Sequence, residues 1–301
     1  MLQKNDKLKT KRMGAALCAL LVAACFAINT PLSKLLLEQA APTYMAAFLY
    51  LGAGLGVGLL YLFRIGKEPP AQWLTRADLP YTVAMIALDV AAPICLMLGI
   101  RMSSASSASL LGNFEIVATS WIASLFFREK ISPRLWVAVG LITAASAALS
   151  FGGAESLRLS PGSLLVLLAA CLWGLENNCT RKISGKSTYE IVCLKGLFSG
   201  GGSLLIALVK GEAFPSLSCL AAILLLGFVA YGLSIFLYVR AQRDLGAART
   251  SAYYAVAPFI GTFLAFLVNG DRPGPLYFVG LALMTAGTAF VVHDTLRPRT
   301  P

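Results

Sequence analysis

The sequence carries little charge for its length. Only 13% of its 301 residues are Asp, Glu, Lys or Arg and 57% are apolar, whereas a soluble domain has about 25% charged residues. The mean hydropathy of +0.74 and the lack of any long polar stretch exclude a water-soluble globular protein. The composition therefore predicts an all-α integral membrane protein whose helices are surrounded by the lipid bilayer.

The sequence also lacks the residue patterns of common enzyme sites. Histidine occurs once, as His293, and HExxH, GxSxG and the phosphate-binding GxxxxGK[ST] do not occur. The seven cysteines lie in apolar runs without CxxC spacing, which is typical of buried packing residues. We expect no metal, no cofactor and no ATP-binding loop, and a protein that is not an enzyme.

Ten apolar runs approach the length of about 20 residues that a helix needs to cross a bilayer. We number them spans 1 to 10, and they cover 13–37, 43–63, 79–100, 105–127, 134–151, 161–182, 188–209, 217–239, 247–269 and 275–292. The connectors are short and contain Pro and Gly, as in Arg272-Pro-Gly-Pro275. The sequence therefore predicts ten transmembrane helices and no soluble domain between them.

Positive charge is distributed unevenly between the two sides of these spans. Nineteen of the 25 Lys and Arg residues lie in the two termini and in, or within three residues of, the connectors after spans 2, 4, 6 and 8, whereas four lie in the other connectors. Because positive residues are retained in the cytoplasm, both termini (1–12 and 293–301) are predicted to be cytoplasmic. The net charge of +11 is dispersed over short segments, so no nucleic-acid partner is expected.

The two halves of the sequence resemble each other. Leu141-Ile-Thr-Ala-Ala-Ser-Ala147 matches Leu283-Met-Thr-Ala-Gly-Thr-Ala289 at an offset of 142 residues, which indicates a duplicated unit of five spans, 13–151 and 161–292. Because five is odd, the second copy must enter the membrane from the opposite side. Inverted repeats of this kind are typical of transporters with a substrate site between the repeats, although duplication for stable packing alone is an alternative.

Several short motifs resemble the drug/metabolite transporter superfamily, in its EamA-like branch. They include Phe26-Ala-Ile-Asn29, where the family usually has Trp first, Trp173-Gly174, and the related turns Arg128-Glu129-Lys130 and Gly270-Asp271-Arg272. The resemblance covers about residues 13 to 292. It implies ten helices, a bacterial inner membrane and movement of a small metabolite or drug, commonly outward, but no particular substrate.

Two charged residues lie at the same predicted depth in neighbouring spans. Glu176 stands near the end of span 6 and Lys195 near the start of span 7, each about 10 Å below the same membrane surface at 1.5 Å per residue. Since an unpaired charge in a bilayer is costly, we predict an ion pair, either structural or an inner gate. Asn177, next to Glu176, adds an amide to this predicted substrate site.

Two acids lie at the predicted midplane. Asp89 in span 3 and Glu115 in span 4 have no evident cationic neighbour in the sequence. Such acids are expected to be neutral unless water or a cationic substrate reaches them, which suits a cation site or a proton relay. Protons are therefore a second candidate partner besides the small-molecule substrate. Lys34, near the end of span 1, is expected to extend outward to the interface.

Three other residues complete the predicted substrate site. Asn29 precedes Pro31, which removes a helical hydrogen bond and could expose a carbonyl to a cavity, as could Pro93 in span 3. Tyr253 and Tyr254 lie inside span 9, where at least one is expected to contact substrate. We therefore predict a secondary transporter, and specifically an exporter, that works by alternating access. A membrane-embedded enzyme with Asp89 and Glu115 as an acid pair, a channel and a receptor are the alternatives.

Overall fold

The described part of the chain is helical. In the computed structural model it comprises residues 2–63, 69, 72–103, 105–112, 114–150, 161–254, 256–270 and 275–296, and no strand occurs among them. The α-helices are α1 (Leu2–Ala27), α2 (Asn29–Leu36), α3 (Pro42–Leu62), α4 (Leu79–Arg101), α5 (Ala105–Leu111), α6 (Phe114–Leu125), α7 (Pro133–Ser150), α8 (Pro161–Ile183), α9 (Thr188–Leu194), α10 (Gly200–Val209), α11 (Leu217–Leu226), α12 (Ser234–Leu245), α13 (Ala247–Tyr254), α14 (Ala257–Asn269) and α15 (Pro275–Leu296).

Six helical segments of the described residues are long and apolar enough to cross a membrane. They are Leu17–Leu36, Pro42–Leu62, Arg76–Arg101, Pro161–Ile183, Thr188–Val209 and Leu217–Leu245. Four shorter apolar helices accompany them, at Phe114–Leu125, Pro133–Ala145, Phe259–Asn269 and Phe278–Gly287. The prediction of an all-helical membrane protein is confirmed.

Three predicted spans are interrupted. A turn at Ile28 separates α1 from α2 in span 1. Pro31 accounts for this break, because it has no N–H to donate to the carbonyl of Ala27 and its ring crowds that carbonyl. Span 9 is interrupted between α13 and α14, and span 4 is interrupted between α5 and α6, where the sequence has no proline. The expected interruption of the helix near Pro31 is therefore confirmed.

Helices α4 and α12 differ from the predicted spans 3 and 8 in one feature each. Pro93 lies inside α4 without ending it, so its effect is limited to leaving the carbonyl of Asp89 without a helical donor. The helix α12 ends at Leu245 rather than at residue 239. It stops there because Gly246 has a φ of 87°, a conformation that glycine adopts readily.

Two π-helical turns pack against α3. They are Lys195–Ser199, between α9 and α10, and Gly227–Leu233, between α11 and α12. A Cβ atom on Gly54 of α3 would lie 2.7 Å from the backbone nitrogen of Leu197, so a glycine is needed for this approach. The close packing brings Lys195, at the start of the first turn, into the interior of the bundle, where it is 4% exposed.

The remaining contacts define the centre of the bundle. The helix α4 packs along α8, α6 packs against α8, α1 packs along α12, and α7 packs along α15.

Lys34 lies at one end of this bundle, where its Nζ donates to the carbonyl oxygens of Ile100 at 2.9 Å and Ser103 at 2.6 Å. Its ammonium therefore binds the carbonyl end of α4, a favourable place for a cation, and does not simply extend outward as predicted.

Candidate functional site

A lysine and two acids form an ion cluster in the centre of the bundle. Lys195 Nζ lies 2.7 Å from Glu176 Oε1 and 3.2 Å from Asp89 Oδ2. All three side chains are buried. The predicted ion pair between Glu176 and Lys195 is confirmed. The prediction that Asp89 has no cationic neighbour is wrong, because α4 packs along α8 and carries Asp89 to the same ammonium.

Neutral groups complete the hydrogen bonding of the ion cluster. Tyr50 Oη donates to Asp89 Oδ1 at 2.7 Å, and Thr180 Oγ1 donates to Glu176 Oε1. Trp173 Nε1 in turn donates to Tyr50 Oη at 3.3 Å. Buried ions are tolerated when such hydrogen bonds satisfy the lone pairs and protons that the ion pair does not engage. With both acids ionised the cluster has one more negative than positive charge.

Glu115 is a third buried acid, on α6. Asn177 Nδ2 donates to Glu115 Oε1 at 2.6 Å, and Gln242 Nε2 fixes the backbone of Asn177 by donating to its carbonyl oxygen at 3.0 Å. No ion pair to Glu115 occurs among the residues that the structure describes. Glu115 is 9% exposed, so its carboxyl is available to a proton or to a ligand that enters from the bundle interior.

The ion cluster and Glu115 line one cavity in the interior of the bundle. Its polar wall consists of the three acids, Lys195, Asn177 and Ser234. The rest of the wall is largely aromatic. The complete lining is Val22, Phe26, Tyr50, Asp89, Glu115, Trp173, Glu176, Asn177, Lys195, Tyr231, Ser234, Ile235, Tyr238 and Tyr254.

Six of the eight predicted site residues line this central cavity, namely Asp89, Glu115, Glu176, Asn177, Lys195 and Tyr254. Asn29 lies behind the wall, where its Nδ2 donates to Tyr231 Oη at 3.4 Å and its Oδ1 accepts from Ser33 Oγ at 3.0 Å. Tyr253 belongs to a hydrophobic cluster with Ile116 and Phe259. Consecutive helical residues point about 100° apart, so only one of the two tyrosines faces the cavity.

Sequence reasoning missed most of the aromatic part of the wall, apart from Tyr254. Tyr50, Tyr231 and Tyr238 are buried in the interior of their helices, although tyrosine in membrane helices is commonly found at the interfaces. That unusual depth is the signal that could have found them. Tyr50 and Tyr231 also contact each other, with ring centroids 5.1 Å apart. The three hydroxyls add polar groups to a wall that rings otherwise make apolar.

Together these features indicate one class of protein. Apolar helices enclose a cavity that carries charged and aromatic side chains, which is the arrangement expected of a membrane transporter. A family model described as the EamA-like transporter family matches residues 13–151 and, a second time, residues 160–293. The chain belongs to this family, and the predicted resemblance is confirmed.

Individual relatives are distant but extensive. A riboflavin transporter of Rhizobium johnstonii is 27% identical over 293 residues, 90% of this chain and 87% of the relative. A probable terminal-alkyne amino-acid exporter of Streptantibioticus cattleyicolor is 25% identical and covers 65% of this chain and 66% of its own. One crystal structure superimposes with a TM-score of 0.76 at 16% identity, over 95% of this chain and 98% of that one, which supports the fold alone.

Proposed function

We propose that the chain forms ten membrane-spanning segments arranged as two inverted repeats of five, residues 13–151 and 161–292. The interruption between α5 and α6 and the one between α13 and α14 lie 143 residues apart, within one residue of the offset of 142 that relates the sequence motifs. The family model also matches twice. An internal repeat accounts for both observations.

Helix packing supports the same arrangement. Under the proposed repeat, α1 with α2 corresponds to α8, and α4 corresponds to α11 with α12. The contact of α4 with α8 then has its counterpart in the contact of α12 with α1, and both contacts are extensive. Likewise, the contact of α6 with α8 corresponds to that of α14 with α1. Such reciprocal contacts are expected of two copies related by a two-fold axis in the membrane plane.

The protein is, in this proposal, a secondary transporter that exports a small amphipathic or amino-acid-like metabolite by alternating access. The observation that carries the proposal is the central cavity, because its acids, Lys195 and aromatic rings together suit a solute with a charged group and an apolar body. The protein carries out no chemical conversion. The relative named as an amino-acid exporter supports the outward direction.

The residues in and around the central cavity have different proposed roles. Glu115 and Asn177 bind the charged or polar group of the solute, while Tyr254 and Trp173 pack against its apolar part. Asp89, Glu176 and Lys195 form a charged floor that rearranges during transport. Asn29 and Tyr253 support the wall from behind. Protons that bind to Glu115 are the proposed source of energy, since the sequence has no phosphate-binding loop.

The proposed location is a bacterial inner membrane, with both termini in the cytoplasm. Nineteen of the 25 Lys and Arg residues lie on the side of the termini, as the retention of positive charge in the cytoplasm requires. A fusion of a reporter enzyme that is active in one compartment only, placed after residue 301, tests the orientation directly.

The function is tested by export from intact cells. Cells that express the wild type, Glu115→Gln, Asp89→Asn or the control Glu38→Gln at matched levels are compared with empty-vector cells by mass spectrometry of the medium and the cytosol. Glu38 is exposed in a connector, so its loss should change nothing. We expect a compound that the wild type and Glu38→Gln release and that the two cavity variants retain.

Two results would count against this function. If the medium of wild-type cells were indistinguishable from that of empty-vector cells in both export and uptake assays, transport of a cellular metabolite would be contradicted. If Glu115→Gln and Asp89→Asn exported the compound as fast as the wild type, the central cavity would not be the substrate site.

A further inference from the structure

A second cavity adjoins the central one. No pattern in the sequence predicts it as a separate site. Four residues line both cavities: Phe26, Glu115, Trp173 and Tyr254. The remaining wall of the second cavity is mostly apolar and is formed by residues of α1, α2, α4, α5 and α14, and by Gly112 after α5, none of which lines the central cavity.

The two cavities follow each other along the axis of the bundle. On α4, Asp89 lines the central cavity and Leu96 lines the second, a separation of about 10 Å at 1.5 Å per residue. In the first span, Val22 lines the central cavity and Thr30 the second. The shared residue Phe26 lies between these two in the sequence. The cavities are therefore stacked, with the shared residues at their boundary.

Three of the shared residues are aromatic, and Phe26 contacts each of the other two. The ring centroids of Phe26 and Trp173 are 6.3 Å apart with an interplanar angle of 86°. Those of Phe26 and Tyr254 are 5.4 Å apart with an angle of 59°. We call these three rings the aromatic partition. Glu115 is the one acid that borders the cavities on both sides of the partition.

The second cavity has polar groups suited to a ligand. Ser109 lines it and is 7% exposed, and its Oγ has no hydrogen-bond partner within the part of the chain that the structure describes. Ala27 also lines it, and its carbonyl has no helical donor at Pro31, which lacks an N–H. A Cβ atom on Gly261 would lie 3.0 Å from Ser109 Oγ and 3.2 Å from the carbonyl oxygen of Ala27. The two oxygens are thus within reach of one small polar group.

One ring of the partition is connected to the ion cluster. Trp173 Nε1 donates to Tyr50 Oη at 3.3 Å, and Tyr50 Oη donates to Asp89 Oδ1 at 2.7 Å. Asp89 in turn contacts Lys195. Rotation of the Trp173 indole would break its bond to Tyr50, so the position of this ring depends on the arrangement of the ion cluster.

We propose that the second cavity is a binding subsite farther along the transport route, and that Trp173 is the movable ring between the two cavities, held in place by Tyr50. The proposal rests on the transport function argued above. The subsite takes the same amphipathic solute, whose hydroxyl or ammonium donates to Ser109 and to the Ala27 carbonyl while its apolar part contacts Leu96. Tyr50 is then a positioning residue, since it acts through Trp173.

The test uses cysteine reporters and needs no substrate. In a full-length chain whose seven cysteines are replaced by alanine or serine, Ser234→Cys reports on the central cavity and Ser109→Cys on the second. Each reporter is reconstituted in two liposome preparations, in which the protein has opposite orientations. The reagent, 2-(trimethylammonio)ethyl methanethiosulfonate, is a membrane-impermeant cation, so it reaches one face of the protein in each preparation. The rate of labelling is measured with Trp173, Trp173→Ala, Trp173→Phe or Tyr50→Phe.

We expect the two reporters to react from opposite faces when Trp173 is present and from both faces in Trp173→Ala. Tyr50→Phe should speed labelling across the partition by about fivefold, the factor that corresponds to loss of one hydrogen bond. Trp173→Phe should behave like Tyr50→Phe, because it keeps a ring but loses the N–H. Size-exclusion chromatography checks folding, and the two phenylalanine variants suffice if Trp173→Ala does not fold.

Gly261→Leu is a second, independent variant, because its side chain would fill the second cavity and leave the central one open. It should slow labelling of Ser109→Cys but not of Ser234→Cys. Gly140→Leu is the matched control, since a side chain there meets nothing within 4 Å. Labelling of both reporters from the same face, or labelling that none of the variants at Trp173, Tyr50 and Gly261 alters, would overturn the proposal. A chain with the expected labelling that exports nothing would contradict the proposed function alone.

Discussion

Replacement of Lys195 by methionine is expected to destabilise the protein strongly. Lys195 is the one cation in contact with Asp89 and Glu176 in the described structure, and these acids are 0% and 2% exposed. Removing one partner of a buried ion pair costs about 3–5 kcal/mol, because the remaining charge is left uncompensated. Methionine has a similar length, so little of this loss would come from packing.

The cost should be recovered when the acids are neutralised as well. In the triple variant Lys195→Met, Glu176→Gln, Asp89→Asn, no charge remains in the cluster, and replacement of buried ions by neutral groups is often nearly neutral for stability. We expect the triple variant to lie within about 2 kcal/mol of the wild type in free energy of unfolding. Exchanging only Glu176 and Lys195 is a poorer test, since the new acid at position 195 would face Asp89.

Unfolding in detergent, followed by circular dichroism, measures these differences. A loss of 3–5 kcal/mol corresponds to a fall in Tm of roughly 5 to 8 °C for a chain of this length. Lys186→Met serves as the control, because Lys186 contacts Asp78 at 3.5 Å in a partly exposed pair of the kind that contributes about 0–1 kcal/mol. The reasoning is refuted if Lys195→Met is as stable as Lys186→Met, or if the triple variant is no more stable than Lys195→Met.

Two further predictions concern packing and pH. Gly54→Ala should lower the free energy of unfolding by about 1–3 kcal/mol, because its Cβ would lie 2.7 Å from the backbone nitrogen of Leu197. Gly58→Ala in the same helix meets no atom closer than 3.7 Å and should leave the stability unchanged. The midpoints of unfolding in denaturant measure this difference. Burial would raise the pKa of Glu212, but the hydrogen bonds from Lys210, Thr43 and the backbone of Tyr44, together with the positive charge of Lys210, outweigh burial and lower this pKa. The stability that Glu212 contributes is therefore present above about pH 4.3, the ordinary value of a glutamate, and is lost as the pH falls through the lowered value. Unfolding midpoints between pH 6 and pH 3 should show this loss in the wild type but not in Glu212→Gln, and an equal loss in both would contradict it.

Local rules of sequence predicted one part of the site well. The pair of Glu176 and Lys195 follows from two consecutive antiparallel helices, because such helices are neighbours and residue counts place both side chains at one depth. The break in the first span follows equally from Pro31, whose missing N–H can be read from the sequence. Both inferences need only residues that are close together in the chain.

The missing parts of the site depend on contacts between distant segments. Asp89 reaches Lys195 because α4 packs along α8, and no local pattern specifies that neighbour. The aromatic partition joins Phe26, Trp173 and Tyr254 from three separate helices. Asn29 faces Tyr231 rather than the cavity, because its direction is set by how α2 is rotated after the break. Residue type therefore indicated which side chains are costly to bury, but not which partners reduce that cost.

The distribution of the charged groups between the proposed repeats indicates which contacts change during transport. Glu176 and Lys195 both belong to the second repeat, so their ion pair can move as a unit. Asp89 and Glu115 belong to the first repeat, and each contacts the second across the cavity, through Lys195 at 3.2 Å and through Asn177 at 2.6 Å. In the proposed alternating-access cycle, motion of one repeat against the other would strain these two contacts. Protonation or solute binding at either acid would weaken the same contacts, so the groups proposed to bind the solute also connect the proposed repeats.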